Sequence, residues 1–300
     1  MSNAVADAAI KRAKKVTGPS LWTRFIRNIS FIIPMTIMVL LVITAIFAPL
    51  LAPYDPIKQN MLDRRAPPAF MEGGTSKHLL GTDHLGRDIL SRLIYGGRVS
   101  LSVALLVIFI TASVGTIMGI IAGYLGGRTE GILMRITDVA MSFPPLLIAM
   151  LLAVSVGPGF FTVVFALSIL GWSGYSRMIR GEALRLSNSD FVSQARVNGA
   201  SGIRIMLKHI FPNVINSLIV IMTLAVGMMI LAESALSYLG IGIPAPTPSW
   251  GSMVADGRND LDRAWWISTF PGIAIGLVVM SGNFLGDWIR DKLDPRLRQL

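Results

Sequence analysis

Long uncharged apolar runs alternate with short basic segments along most of the chain. Residues 28–54 carry no charge, and a helix of that length crosses a bilayer, since about 20 residues suffice. The run exceeds the 7–15 apolar residues of a cleaved leader, so it reads as a retained first span. Pro34 lies near its start, and Pro49, Pro53 and Pro56 end it by removing backbone donors and restricting the residues before them. Residues 99–127 form the second span, closed by a tight Gly126-Gly127-Arg128 hairpin. A third span begins near Asp138 and continues past Pro144-Pro145 to Val156; Gly157-Pro158-Gly159 then breaks the chain, and a fourth runs to about Ser176. The fifth occupies residues 210–242 and carries Glu233, and the sixth runs from about 264 to 286. The pattern predicts an all-α polytopic membrane protein with six transmembrane helices.

Two polar stretches interrupt this pattern with helical periodicity of their own. In residues 82–95, Leu85, Ile89, Leu93 and Ile94 share a face while Arg87, Asp88 and Arg92 lie elsewhere, which predicts an interfacial amphipathic helix leading into the second span. Residues 190–212, DFVSQARVNGASGIRIMLKHIFP, are longer and more basic. Their first half predicts a short helix started by Ser189 or Asp190 and stopped at Asn198-Gly199, residue types that tolerate a left-handed conformation. Their second half places Ile203, Met206, Leu207, Ile210 and Phe211 on one face, with Arg204, Lys208 and His209 on the other. Helix, glycine turn, helix with an apolar stripe is the signature of a docking surface, with Pro212 as its exit.

Composition reinforces the membrane reading. Charged residues make up 15% of the 300 and hydrophobic ones 53%, far from the roughly 25% charge of soluble domains. A net charge of +10 would point a soluble protein to nucleic acid. Here the basic residues sit between and beside the spans, so the partner they imply is the lipid bilayer and no nucleic acid is expected. Six spans put both termini on one side. Two thirds of the 27 Lys and Arg fall on that side, which makes the termini and residues 177–212 cytoplasmic by the positive-inside rule. The absence of cysteine removes disulfides, thiolate metal sites and cysteine nucleophiles.

Candidate chemistry within the spans is sparse. No Gly-Lys dipeptide occurs, so there is no phosphate-binding P-loop, and no metal or Ser/His/Asp set suggests catalysis: the chain is not expected to be an enzyme, to bind a metal, or to bind a cofactor itself. His78 and His84, flanking Asp83, lack a second ligand pair and are expected to be solvated or capping. Asp138 and Glu233 are the acids inside spans, where ionisable groups are costly and usually functional or paired. Both are candidate passage or gate residues. Asp138 has the simpler account of a helix-face ion pair with Arg135, and Glu233 that of a structural hydrogen-bond acceptor. Gly115, Gly119 and Gly123, four apart, predict close helix contact rather than a ligand site.

Several motifs in order carry a resemblance. Residues 194–201 (QARVNGAS) followed by Lys208-His209-Ile210-Phe211-Pro212-Asn213 resemble the cytoplasmic EAA loop of binding-protein-dependent ABC transporter permeases. Gly81-Thr82-Asp83, Leu85-Gly86-Arg87-Asp88, Ala122-Gly123-Tyr124, Pro248-Ser249-Trp250-Gly251 and Asp294-Pro295-Arg296-Leu297 resemble the dipeptide/oligopeptide/nickel group, C-type subunits, from about residue 30 onward. The resemblance implies a type I ABC importer permease fold in the cell inner membrane, with residues 1–97 leading in, a core over 98–287 containing the coupling loop 177–212, and a tail over 288–300. It implies a second permease subunit forming a heterodimer, two cytoplasmic ATPase subunits that use ATP, and an extracytoplasmic peptide-binding protein. Asp190, Ser193, Gln194, Ala195, Arg196, Gly199, Ala200, Ser201 and Pro212 would form the ATPase-coupling loop. Ser193-Gln194 stand where the family has Glu-Ala, so the acidic partner is missing at Ser193 and the polar contact made there would pass to Asp190 or Arg196. The alternatives are a nickel or chelate permease, and an ion-coupled carrier using Asp138 and Glu233.

Overall fold

The structure, a computed structural model, describes residues 21–293, giving backbone alone for 21–28 and 30. The basic residues 1–20 and the Asp294-Pro295-Arg296-Leu297 motif lie outside the described residues. Helices are the only extended regular elements among those described. They are α1 (Leu21–Ile46), α2 (Ile89–Leu125), α3 (Gly127–Ser142), α4 (Pro145–Val156), α5 (Phe160–Ser187), α6 (Asp190–Val197), α7 (Gly202–Tyr238), α8 (Trp250–Gly257) and α9 (Trp266–Leu293). Three of them, α2, α7 and α9, are long and apolar enough to cross a membrane, and the bent pair α3–α4 makes a fourth if taken as one span.

The bundle is built on α2. Its contact with α5 is the most extensive in the molecule, and α7 packs against both α2 and α9. Glycines set the α2–α5 spacing. A Cβ on Gly115, Gly119 or Gly123 would lie 2.5, 2.7 and 2.6 Å from the carbonyl oxygens of Trp172, Ser176 and Arg180. The three expected glycines therefore serve backbone-to-backbone approach, as small residues do in membrane bundles.

Several boundaries differ from expectation, each for a local reason. The third span is not continuous: α3 and α4 meet at 78°. Phe143 and Pro144 each precede a proline and are extended (ψ 137° and 117°), because the proline ring excludes the helical conformation of the residue before it. Residues 82–88 are not helical, so the amphipathic helix expected over 82–95 does not form as a separate element. Asp88 instead caps α2 by accepting from the Ser91 amide at 2.8 Å, and α2 then runs unbroken through the expected second span. Helix α5 continues to Ser187, past the expected end at Ser176.

Pro212 does not end the coupling segment. It lies inside α7, which is continuous through a π turn at Met206–Ile210. Proline has no amide hydrogen for the α-helical bond to residue 208, and the wider turn absorbs the defect, with Phe211 donating to Met206 O. The turn also rotates the register. Ile205 and Ile210, five apart, are both fully buried, whereas Ile203, Leu207 and Phe211 of the expected single apolar face are exposed. Those three, with Met206, line a groove of about 490 Å³ shared with Phe109, Ile117 and Ile121 of α2.

Candidate functional site

Polar and functional groups gather at three places: the segment around α6 at one end of the bundle, a buried acid in α7, and a charged clamp at the opposite end.

The segment around α6 has the expected helix, turn, helix form. Ser189 precedes α6 without a side-chain cap, and Asp190 lies in its first turn. The helix stops in a Schellman motif. Gly199 takes φ +77° and donates to Arg196 O, while Ala200 donates to Ala195 O, both at 3.0 Å. A Cβ on Gly199 would touch nothing within 4 Å, so conformation alone selects glycine there. Ser201 then opens α7 by accepting from the Arg204 amide at 3.4 Å. Only Val192 of α6 is buried, in a cluster with Ile120, Ile179 and Ile205. Asp190, Phe191, Ser193, Gln194, Arg196 and Val197 are all exposed, and Ala195 and Ala200 are partly covered. Val192 is thus the one buried residue of a helix that is otherwise largely open to its surroundings. Pro212 is exposed three turns further on, so the structure groups eight of the nine expected coupling residues and leaves this one apart.

Glu233 is completely buried in α7. Ser100 Oγ donates to its Oε2 at 3.0 Å and Ser237 Oγ to its Oε1 at 2.8 Å. Ser249, beside Ser237 at 3.4 Å, extends the cluster to the start of α8. The acid thus ties α2, α7 and the segment before α8 together, an arrangement that fits the hydrogen-bonding alternative for this residue. Asp138 has a different partner from the one expected. It pairs with Arg177 of α5, not with Arg135 of its own helix, and both members are more than half exposed. Helix α3 crosses α5 here, and that crossing, invisible in the sequence spacing, supplies the nearer cation.

The clamp joins residues 60–92 to α8 and the chain after it. Asp83, 1% exposed, receives Arg87 Nε at 2.6 Å and Arg92 Nη1 at 2.7 Å. The outer nitrogens of both guanidiniums reach Asp256 of α8, at 3.2 and 3.0 Å. Burial raises the Asp256 carboxyl above its ordinary range, against the pull of Arg87. His78 is neither solvated nor a cap: it is buried with Nδ1 2.8 Å from Asp88 Oδ1. His84 lines a cleft with Arg87 and Asp256. Nearby, the hydrogen bond from Lys77 holds the Asp63 carboxyl below its ordinary range. Trp250 completes the clamp. Its indole donates to Leu93 O at 2.9 Å, and it fills a notch at Gly96 and Gly97, where added Cβ atoms would lie 3.3 and 2.8 Å from its ring.

The motifs 81–88 and 248–251 are thus the two halves of one structural lock. Asp256 and Ser100 were missed because a lone acid in a loop and a lone serine in a span carry no periodic signal. Tyr124, flagged only as part of a motif, lies against the α6 segment, with the Arg196 guanidinium 5.2 Å from its ring centroid.

An all-helical chain with three helices, or four with the bent pair, long and apolar enough to cross a bilayer has the architecture of a polytopic membrane protein. Comparison with known proteins identifies the family. Residues 115–299 match the model of the binding-protein-dependent transport system inner membrane component, and residues 20–68 match the N-terminal TM domain of oligopeptide transport permease C. The dipeptide transport system permease protein DppC of Escherichia coli K12 is 43% identical over 278 residues, 93% of each chain. The di/tripeptide transport system permease protein DppC of Pseudomonas aeruginosa is 40% identical over 277 residues, 92% of this chain and 91% of its own. The oligopeptide transport system permease protein OppC of Bacillus subtilis is 40% identical over 284 residues, 93% of this chain and 91% of its own. The chain belongs to the family of binding-protein-dependent transport system inner membrane components.

Proposed function

We propose that this chain is the C-type permease subunit of an ATP-driven ABC importer that moves di- or oligopeptides across the inner membrane. The observation that carries the reading is the largely exposed α6 helix, with Val192 its one buried residue and the Gly199 turn behind it, within a chain whose relatives are named as dipeptide and oligopeptide permeases. In this reading a second permease completes the passage as a heterodimer, and two cytoplasmic ATPases bind one coupling loop each. An extracytoplasmic binding protein delivers peptide. Both termini and α6 face the cytoplasm, and the clamp faces the other side, in keeping with the distribution of Lys and Arg.

ATPase closure displaces α6, and the bundle responds as a packed body because its elements interlock. The loop departs from the family at Ser193-Gln194, and exposed Asp190 is placed to offer the acidic contact instead. Arg196, a cation, offers no acidic contact, and it stacks on Tyr124. Neither acid favours an ion-coupled carrier: Glu233 is enclosed by serines and Asp138 pairs with Arg177.

Reconstitution of the chain with its second permease, two ATPases and binding protein tests this. Peptide uptake is expected to require ATP hydrolysis and to persist without a proton gradient. Gly199→Val forces a β-branched residue into a left-handed conformation, at a cost of about 1–3 kcal/mol. It is expected to abolish uptake while leaving membrane insertion intact. Uptake driven by the proton gradient alone, or wild-type uptake by Gly199→Val, would refute the reading.

A further inference from the structure

Tyr124 ends the Ala122-Gly123-Tyr124 run, and the coupling reading above assigns it nothing. It stands in the last turn of α2, beside the point where Gly123 lets that helix touch α5, with a would-be Cβ only 2.6 Å from Arg180 O. Its ring is turned towards the α6 segment. The Arg196 guanidinium carbon lies 5.2 Å from the ring centroid, within the range of a cation–π contact. On the far side of the Gly199 turn, a Cβ on Gly202 would come within 3.2 Å of the Tyr124 Cε1. Tyr124, Ala195 and Ala200 also pack on the same buried cluster, which holds Val192 of α6 and Ile205 of α7. One ring therefore meets the coupling segment both before and after its turn, and no ion pair among the described residues competes for Arg196.

We propose that Tyr124 is the positioning residue that fixes the coupling helix to α2, so that a displacement of α6 is passed to α2. The proposal rests on the coupling role proposed above for α6. A rigid link at this point has a long reach. Helix α2 has 37 residues and so spans about 55 Å at 1.5 Å per residue. Its opposite end carries Arg92, locked to Asp83 and Asp256 in the clamp. The ring is the working part, since the contacts that define the joint are made to its face and edge. Small residues at 195, 200 and 202 leave room for it, which gives the Gly202 position a reason that helix propensity alone does not supply.

The experiment uses the whole importer in proteoliposomes and reads ATP hydrolysed per peptide taken up. This ratio does not move when a variant merely lowers the amount of folded complex. Tyr124→Phe keeps the ring and is expected to stay within about twofold of wild type in both rates. Tyr124→Ala is expected to lower uptake at least tenfold while ATP hydrolysis stays within about threefold, so the ratio rises. Gly202→Ala is expected to reduce uptake beside Tyr124 and to cause no further loss in the Tyr124→Ala background. Should Tyr124→Ala not assemble, Arg196→Gln is read instead, and its ratio is expected to rise about threefold. An unchanged ratio in the assembled variant overturns the proposal. A wild-type complex with no ATP-dependent uptake would strike the importer reading itself, a result distinct from a coupled wild type with an equally coupled Tyr124→Ala.

Discussion

Gly119→Ala is the sharpest test of how the bundle is held. At this position a Cβ would lie 2.7 Å from Ser176 O, 2.9 Å from Ile179 Cβ and 3.0 Å from Arg180 N. Ordinary contact begins near 3.4 Å, and two of these atoms are main-chain atoms of α5 that cannot rotate aside. The helices must separate by several tenths of an ångström along their main interface, and overpacking of this kind costs about 1–3 kcal/mol. A Gly→Ala change inside a helix also gains up to about 1 kcal/mol of propensity, which partly masks the loss. Gly174→Ala removes that ambiguity. It lies on α5 with nothing within 4 Å of its would-be Cβ, so it carries the propensity gain without the collision. The two variants should therefore differ by about 1–3 kcal/mol, the propensity terms cancelling. Unfolding of the purified chain in mixed micelles, followed by tryptophan fluorescence against increasing SDS, measures the difference. Gly119→Ala unfolding at the same or a higher SDS fraction than Gly174→Ala would refute the close-packing argument.

Asp83→Ala leaves the buried Arg87 and Arg92 without their inner carboxylate and should destabilise by about 3–5 kcal/mol in the same assay; a loss under about 1 kcal/mol would mean that the clamp does not hold the fold. The clamp also responds to pH with a definite sign. Asp256 holds its proton more tightly in the folded state than its ordinary value of 3.8 would allow, so its contribution is fullest below that pH and is lost as pH rises through the folded value. Asp256→Asn should remove this decline, as melting curves from pH 4 upward would reveal. Asp63, lowered chiefly by its hydrogen bond from Lys77, acts oppositely, and its contribution disappears as pH falls below 3.8. Glu233→Gln keeps an acceptor for the surrounding serines and should leave both stability and uptake near wild type, whereas Glu233→Leu strands Ser100 and Ser237 and should cost about 1–3 kcal/mol. Abolished uptake in Glu233→Gln with an intact fold would return this residue to the role of gate.

Much of the architecture was legible along the chain because lipid leaves little choice. Apolar runs of bilayer length must be helical to satisfy their own backbone, and Gly157-Pro158-Gly159 or Gly126-Gly127 must break them. The glycine turn of the α6 segment was equally legible, since Gly199 at φ +77° is a conformational demand that one residue type meets. Of the expected apolar face in residues 203–211, Ile203, Met206, Leu207 and Phe211 do share one groove, and Ile210 alone departs. Periodicity assumes 3.6 residues per turn, and the π turn at Met206–Ile210 adds one residue to the turn, so Ile210 is buried on the same side as Ile205, five residues before it.

By itself, then, the sequence determined that the protein is a helical membrane permease of this family, where the Gly126-Gly127, Gly157-Pro158-Gly159 and Gly199 breaks fall, and which polar segment interrupts the spans. These are properties of single elements in a known solvent. The tertiary structure alone decided the pairings: Asp138 with Arg177, Asp83 with two arginines and through them Asp256, Glu233 with serines from three segments, and Tyr124 with Arg196. A charge or ring in a sequence has many possible partners at comparable spacing. Which one it meets depends on how helices cross, and here the crossings are set by glycine contacts whose geometry exists only once two helices are side by side.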